Sequence, residues 1–112
     1  MPPLRSTFDA IVSRHRAVFL DAYGVLVDER GAIAHAASAI DRLDRAGTPW
    51  YVLTNDASRL PSSMSERFRS LGLAIPTSRI VAPGDLLPAF FTARGLRGAR
   101  TAVLGSPDSH TL

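Results

Sequence analysis

The chain has 112 residues, of which 46% are hydrophobic, and its net charge is +3 at pH 7. This length supports one small domain with a core and excludes two ordinary domains. Cysteine is absent, which excludes a disulfide framework, a thiolate metal site and a cysteine nucleophile. The thirteen basic residues are all Arg and are scattered along the chain, so we expect no nucleic-acid partner.

The amino-terminal residues 1–16 lack the continuous apolar stretch of a signal peptide and predict a helix or arm. No apolar run in the sequence approaches the roughly 20 residues that a membrane-spanning helix requires. We therefore expect a cytoplasmic protein with no membrane partner.

Short apolar runs then predict the strands of a sheet. Residues 17–20, 50–53 and 101–104 each have the pattern of a strand that is buried on both faces. Residues 79–82 form a weaker fourth candidate, and the pair Pro83-Gly84 after them is expected to stop any regular element.

Segments with helical spacing alternate with these strands. Apolar residues recur three or four apart in residues 36–43, and Gly47 then provides the left-handed position that ends many helices. Further helices are predicted over residues 62–71 and 86–94. Residues 25–33 place a polar turn around Gly31 and predict a small hairpin. This alternation indicates parallel βαβ units and an α/β fold.

Polar residues with chemical potential follow two of the predicted strands. In an open parallel sheet, ligands bind outside the carboxyl ends of the strands. Asp21 lies at one such end and could act as a nucleophile. Thr54 and Asn55 lie at another and could donate hydrogen bonds to anionic oxygens.

Each of these residues also has a purely structural interpretation. Asp21 could cap the turn after its strand, and Thr54-Asn55 could form a turn. Asp56 and Ser58 are better explained as helix-entry caps than as catalytic groups. Arg59 is equally consistent with contact to a substrate anion and with a surface salt bridge.

Two motifs resemble those of the haloacid dehalogenase superfamily of hydrolases. Residues 18–26 (VFLDAYGVL) are similar to motif I of that family, and residues 52–55 (VLTN) are similar to motif II. The pattern that follows, from Ala57-Ser58-Arg59 to Gly84-Asp85, resembles the subclass IIA typified by the NagD and para-nitrophenylphosphatase proteins.

The resemblance implies a Rossmann-like core, Mg²⁺ and hydrolysis of a small phosphorylated or otherwise anionic substrate. Asp21 corresponds to the nucleophile and a metal ligand, and the backbone carbonyl of Tyr23 to the second metal ligand. Thr54 corresponds to the phosphate-binding hydroxyl, with Asn55 and Gly24 beside the substrate. The hairpin after Gly24 corresponds to the family's flap.

Two features depart from the family pattern. Phosphatases of the family carry a second Asp two residues after the nucleophile, and here Tyr23 takes that catalytic position; the 2-haloacid dehalogenase branch also has Tyr there. No Lys is present for motif III, and residues 101–112 do not have the pattern of motif III or of the acidic motif IV. We therefore expect a partial core over residues 17–98 and the start of a truncated cap domain over residues 99–112.

Three functional hypotheses remain open from the sequence. The first is a hydrolase that acts through Asp21 on a small phosphorylated substrate, with activity impaired in so short a chain. The second is a non-catalytic member that binds an anion, a metal or a partner. The third is a dehalogenase-like hydrolase. An unpaired apolar strand also predicts self-association or pairing with a completing chain.

Overall fold

The structure is a computed structural model that describes residues 1–2 and 4–108. Helices and strands alternate along most of it, as the sequence predicts. The helices are α1 (Phe8–Val12), α2 (Ala36–Ala46), α3 (Pro61–Ser70) and α4 (Leu87–Ala93), and the strands are β1 (Val18–Leu20), β2 (Val27–Asp28), β3 (Gly31–Ala32), β4 (Trp50–Leu53) and β5 (Ile80–Val81). Short 3₁₀ turns cover Thr77–Arg79 and Pro83–Leu86.

Three of the strands form a parallel sheet in the order β1-β4-β5. Val18 pairs with Trp50 and Leu20 with Val52, while Val52 also pairs with Ile80 on its other side. The remaining two strands, β2 and β3, form the predicted antiparallel hairpin. The α/β fold with a parallel Rossmann-like sheet is therefore confirmed.

One face of this sheet carries the core. Side chains alternate between the two faces of a strand, so Trp50 and Val52 point to the same side, and they are 1% and 0% exposed. Apolar residues of both long helices belong to the same cluster: Ile40 and Leu43 from α2, and Met64 and Phe68 from α3. Burial of these side chains at about 1.5–3 kcal/mol each supplies the main stabilisation of the fold.

The prediction that the strands are buried on both faces is wrong. Phe19 in β1 is 61% exposed and Leu53 in β4 is 52% exposed, and both lie on the face opposite Trp50 and Val52. Phe19 instead stacks on Tyr51 of the neighbouring strand, with ring centroids 5.7 Å apart.

The strand predicted over residues 101–104 is also not formed. These residues have no regular structure, and Leu104 is fully exposed. An apolar run becomes a strand only where another strand pairs with it, and none does so here among the residues described. Of the segment expected to begin a cap, residues 109–112 lie outside the described residues.

Strand β5 ends at Val81, before Pro83-Gly84, as the sequence predicts, but this pair does not stop all regular structure and instead begins the next element. Pro83 opens a 3₁₀ turn that continues directly into α4, and Pro88 lies in the first turn of that helix. A proline at the start of a helix costs little because its missing N–H has no partner within the helix there. At the end of α2, Gly47 has the predicted left-handed conformation, with φ +66°.

Candidate active site

Asp21 directly follows β1 at the carboxyl edge of the sheet. Its side chain is exposed, and its Oδ1 accepts a hydrogen bond from the backbone N–H of Ala22 at 2.8 Å. This contact holds the carboxylate close to the backbone and uses Oδ1, so Oδ2 is the oxygen that a ligand could contact. Both the turn-capping role and the nucleophile role considered from the sequence are compatible with this geometry.

The turn after Asp21 is organised around one carbonyl. The backbone oxygen of Ala22 accepts hydrogen bonds from the N–H groups of Val25, Leu26 and Val27, at 2.9–3.3 Å. Leu26, which is 2% exposed, anchors this turn in the core. Gly24 has φ +88°, a conformation that side-chain-bearing residues rarely adopt. The sequence therefore requires glycine here to place Asp21 and Tyr23 at the mouth of the turn.

Tyr23 lies beside Asp21 and is 67% exposed. Its hydroxyl donates a hydrogen bond to Oε2 of Glu29, at 3.1 Å, which ties the turn to the tip of the hairpin. The backbone N–H of Val27 donates to the Ala22 carbonyl, and the N–H of Gly24 donates to the Val27 carbonyl. These two bonds flank Tyr23 in the chain, and neither of them uses the Tyr23 carbonyl. Glu29 lies in the polar turn of the hairpin that the sequence predicts over residues 25–33, and no local pattern signals its contact with Tyr23.

Thr54 and Asn55 follow β4 at the same edge. The Thr54 N–H donates to the Val81 carbonyl at 3.1 Å, which continues the parallel pairing beyond the strand. The Thr54 hydroxyl accepts from the Asp56 N–H at 3.1 Å, and its own hydrogen stays available to an acceptor. Because Leu20 pairs with Val52, the register brings Asp21 and Thr54 to one edge.

The loop after Asn55 is held by Asp56. This carboxylate accepts hydrogen bonds from the Ser58 N–H at 2.8 Å and the Ser58 hydroxyl, and it pairs with Arg59 at 3.0 Å. Partial burial raises the pKa of Asp56, but the hydrogen bonds from Ser58 and Arg59 together lower it below its usual value. Asp56 and Ser58 therefore order the loop, and they do not cap α3 as predicted. Arg59 forms a surface salt bridge, which is one of the two roles that the sequence left open for it.

The cap of α3 comes from a distant part of the chain. Oδ2 of Asp108 accepts a hydrogen bond from the N–H of Leu60 at 3.1 Å, and the Ser106 hydroxyl donates to the Ser58 carbonyl. Hydrogen bonds from Ser63 and Leu60 lower the pKa of Asp108. Local sequence gave no signal for this cap, because 48 residues separate Asp108 from Leu60.

The donors near Asp21 suit a hard cation. Mg²⁺ takes oxygen ligands in octahedral geometry and is commonly held by one or two carboxylates, waters and substrate phosphate. The Asp21 carboxylate and the Tyr23 carbonyl are such donors, and both lie on the same turn. Within residues 1–2 and 4–108, no group of three His, Cys, Asp or Glu side chains could hold a metal ion. The described part of the chain thus has two oxygen donors on this turn and no complete cage of acidic or His side chains.

A cavity of about 1200 Å³ lies between α4 and the segment 97–104. Its lining includes Ala57 from the loop after β4, but not Asp21 or Thr54, so it is separate from the edge described above.

None of the helices in the described ranges is long and apolar enough to cross a membrane.

Comparison with known proteins identifies the family. The model of the haloacid dehalogenase-like hydrolases matches residues 18–112, which includes both strand-end motifs. The chain belongs to the haloacid dehalogenase-like hydrolases. Proteins of this superfamily generally use a divalent metal, which agrees with the oxygen donors of the turn.

Two phosphatases are among its curated relatives. The phospholysine phosphohistidine inorganic pyrophosphate phosphatase of Xenopus laevis is 32% identical over 87 residues, which are 73% of this chain and 32% of the relative. The glycerol-3-phosphate phosphatase of Gallus gallus is 33% identical over 106 residues, or 90% of this chain and 33% of the relative. The chain thus spans about a third of the length of the curated relatives it matches.

Solved structures agree with the subclass. A possible sugar phosphatase of the same superfamily, from Cytophaga hutchinsonii, matches with a TM-score of 0.78 and 25% identity, over 95% of this chain and 37% of the other. NagD of Escherichia coli matches with a TM-score of 0.62 and 26% identity, over 86% of this chain and 38% of the other. The haloacid dehalogenase-like chain is therefore a member of subclass IIA over the part that it spans.

Proposed function

We propose that this chain carries the nucleophile half of a phosphatase site for small phosphorylated substrates. The observation that carries the proposal is the turn after β1, which presents the exposed Asp21 carboxylate at the same sheet edge as the Thr54 hydroxyl. The phosphatase activities of the two curated relatives support this substrate class.

Each residue of the edge has a proposed role. The free oxygen of Asp21 attacks phosphorus in line with the departing alcohol and forms an aspartyl phosphate, which water then hydrolyses. The Thr54 hydroxyl hydrogen and the Asn55 amide donate to the phosphoryl oxygens, and Gly24 lets the backbone approach the substrate closely. Asp21 and the Tyr23 carbonyl would hold Mg²⁺, which would supply positive charge to the transferring group.

Tyr23 limits the proposed chemistry. A phenol is a weaker proton shuttle than a carboxyl group near neutral pH. Its hydroxyl also already donates a hydrogen bond to Glu29. We therefore propose that the chain favours esters with good leaving groups, for which protonation of the departing oxygen matters least. The segment 99–112 is proposed to begin a cap domain.

Hydrolysis of p-nitrophenyl phosphate with and without Mg²⁺ tests the proposal. We expect slow Mg²⁺-dependent release of p-nitrophenol by the chain, increased by adding a carboxyl-terminal portion of a subclass IIA relative. Asp21→Asn should abolish the activity, because an amide cannot act as the nucleophile. Asp41→Asn is the matched control, since Asp41 only pairs with Arg45 on the surface of α2.

The outcomes separate the hypotheses that the sequence left open. Activity that survives Asp21→Asn contradicts the assignment of the nucleophile. Absence of activity in both assays, together with Mg²⁺ or phosphate binding that depends on Asp21, assigns the chain to the non-catalytic class. Turnover of a 2-haloacid without phosphatase activity would favour the dehalogenase hypothesis.

A further inference from the structure

The aromatic ring of Tyr23 has no role in the proposed function, which uses only the backbone carbonyl of this residue. Ala22 is buried, whereas its neighbours Asp21 and Tyr23 are both exposed. The turn therefore directs these two side chains to its solvent side. A ligand that binds Asp21 lies within the surroundings of the Tyr23 ring.

The ring is held at both ends. At its base, the backbone of Tyr23 forms a bridge with Val27, which is buried in the core. At its far end, the hydroxyl donates to Oε2 of Glu29 at 3.1 Å. Glu29 belongs to the tip of the β2–β3 hairpin, where the N–H of Arg30 donates to Oδ1 of Asp28 at 2.8 Å. The phenol thus links the base of the hairpin to its tip.

This tether determines what the side chain offers a ligand. Because the hydroxyl donates to Glu29, the surface of Tyr23 that remains exposed is mainly the apolar ring. A ring that is already held in place loses little conformational entropy when a ligand packs on it, and such preorganisation increases affinity. Aromatic rings pack favourably on other rings in offset-stacked or edge-to-face arrangements. Tyr23 therefore suits contact with a planar aromatic group.

The position of the ring matches the departing group of a substrate. In-line attack by Asp21 places the departing oxygen on the far side of phosphorus. A tyrosine side chain extends further from the backbone than an aspartate does, and a single residue separates Asp21 from Tyr23. The ring can therefore reach past a phosphoryl group that Asp21 and Thr54 contact.

We propose that Tyr23 determines substrate specificity by packing its ring against the leaving group, and that Glu29 positions this ring. The site then selects phosphate esters with a planar aromatic leaving group over alkyl phosphates of the same charge. The inference rests on the proposed function, because it takes the phosphoryl group to be bound by Asp21 and Thr54. It is separate from the preference for good leaving groups, since it acts in binding and not in bond cleavage.

The affinities of phenylphosphonate and methylphosphonate test the proposal without any catalytic step. Both compounds resist hydrolysis, and they are compared with Mg²⁺ at a pH at which both are dianionic. Titrations followed by amide chemical shifts of the ¹⁵N-labelled chain give the two dissociation constants. Contacts of the phosphonate group cancel in their ratio, and we expect phenylphosphonate to bind about tenfold more tightly.

Two leucine variants show which ring causes the preference. Tyr23→Leu keeps an apolar side chain without the ring, and should reduce the ratio to about twofold or less. Phe19→Leu is the matched control, because Phe19 is about as exposed as Tyr23 but lies on a face of the sheet. It should leave the ratio unchanged. Circular dichroism of every variant verifies that the chain remains folded.

Two substitutions of Glu29 test its positioning role. Glu29→Gln keeps an oxygen that accepts the Tyr23 hydroxyl hydrogen, and should preserve the ratio. Glu29→Ala removes the acceptor and should lower the ratio, as Tyr23→Phe should, because both variants keep the ring and lose its tether. A ratio that Glu29→Ala leaves intact would overturn the role of Glu29.

The outcomes distinguish failure of this inference from failure of the proposed function. Equal affinities for the two phosphonates, with shifts in residues 21–24 and 54–56, overturn the inference and leave the proposed function in place. A preference that survives Tyr23→Leu, or that Phe19→Leu removes, overturns it in the same way. If neither phosphonate nor orthophosphate shifts these residues, the proposed function fails and the inference fails with it.

Discussion

The two ends of strand β4 differ in how their side chains are held. At its amino end, the Trp50 indole is 1% exposed and donates to Asp44 at 2.8 Å. The Arg79 guanidinium lies 4.5 Å from the centre of that ring and donates to the Trp50 carbonyl at 2.9 Å. At the carboxyl end, by contrast, Asp21 and Asn55 are exposed, and few contacts hold them.

The difference separates stability from ligand binding along one short strand. At the amino end the hydrogen-bonding groups of Trp50 and Arg79 are used within the protein, so that end contributes to folding and has little left to offer a ligand. At the carboxyl end, the oxygen of Asp21 and the hydroxyl hydrogen of Thr54 are available because the turn and the loop are held by other residues. A parallel sheet concentrates its ligand-binding groups at that end.

The largest effect on stability is expected from Trp50→Ala. Removal of this buried ring leaves a cavity and breaks the hydrogen bond from Trp50 to Asp44, and should lower the free energy of unfolding by about 3–5 kcal/mol. Urea denaturation followed by circular dichroism measures the change. Trp50→Phe keeps a ring in the cavity and should cost clearly less, and equal losses for the two variants would contradict the account.

A smaller effect is expected from Tyr23→Asp at the carboxyl end of the sheet. There the substitution should lower the activation free energy of hydrolysis and so appear as a gain of activity. A carboxyl group at this position can protonate the departing oxygen, which is worth about 10²-fold or more in rate. The gain should be greater for an alkyl phosphate than for p-nitrophenyl phosphate, because alkoxide is the poorer leaving group. Tyr23→Phe is the control, and an equal gain from it would refute the proposed role of the carboxyl group.

The smallest effect is expected from the loop that supports the carboxyl end. The folded pKa of Asp56 lies below its ordinary value of 3.8, so its ionised form stabilises the fold. This stabilisation is fully present above the unfolded pKa and is lost as pH falls through the folded pKa. The stability of the wild type should therefore fall more than that of Asp56→Asn between neutral pH and about pH 3. Parallel pH curves would exclude the effect.

The order of strands and helices could be predicted because it follows from the spacing of apolar residues and from turn residues within each segment. The apolar runs of β1 and β4, the helical spacing of α2 and the position of Gly47 all agree with the structure. Residues 101–104 have a similar apolar pattern, and yet they form no strand. No strand in the described part of the chain pairs with them, and pairing between distant segments cannot be recognised from the composition of one segment.

The site was predicted less completely than the fold. The positions of Asp21 and Thr54 followed from the ends of the strands and from motif resemblance. The contact of Tyr23 with Glu29 and the cap from Asp108 to α3 depend on how the hairpin and the later chain fold back. The exposure of Phe19 likewise depends on which elements cover each face of the sheet, which the apolar run alone does not specify.

The central claim is that the carboxyl end of β1 and β4, and not the amino end, binds a phosphoryl group. Titration of the ¹⁵N-labelled chain with Mg²⁺ and orthophosphate, followed by amide chemical shifts, tests this claim most directly. We expect the shifts to be concentrated in residues 21–24 and 54–56 and to be lost in Asp21→Asn, while Trp50 and Arg79 remain unperturbed. Shifts centred on Trp50 and Arg79, or shifts at the carboxyl end that persist in Asp21→Asn, would contradict the account.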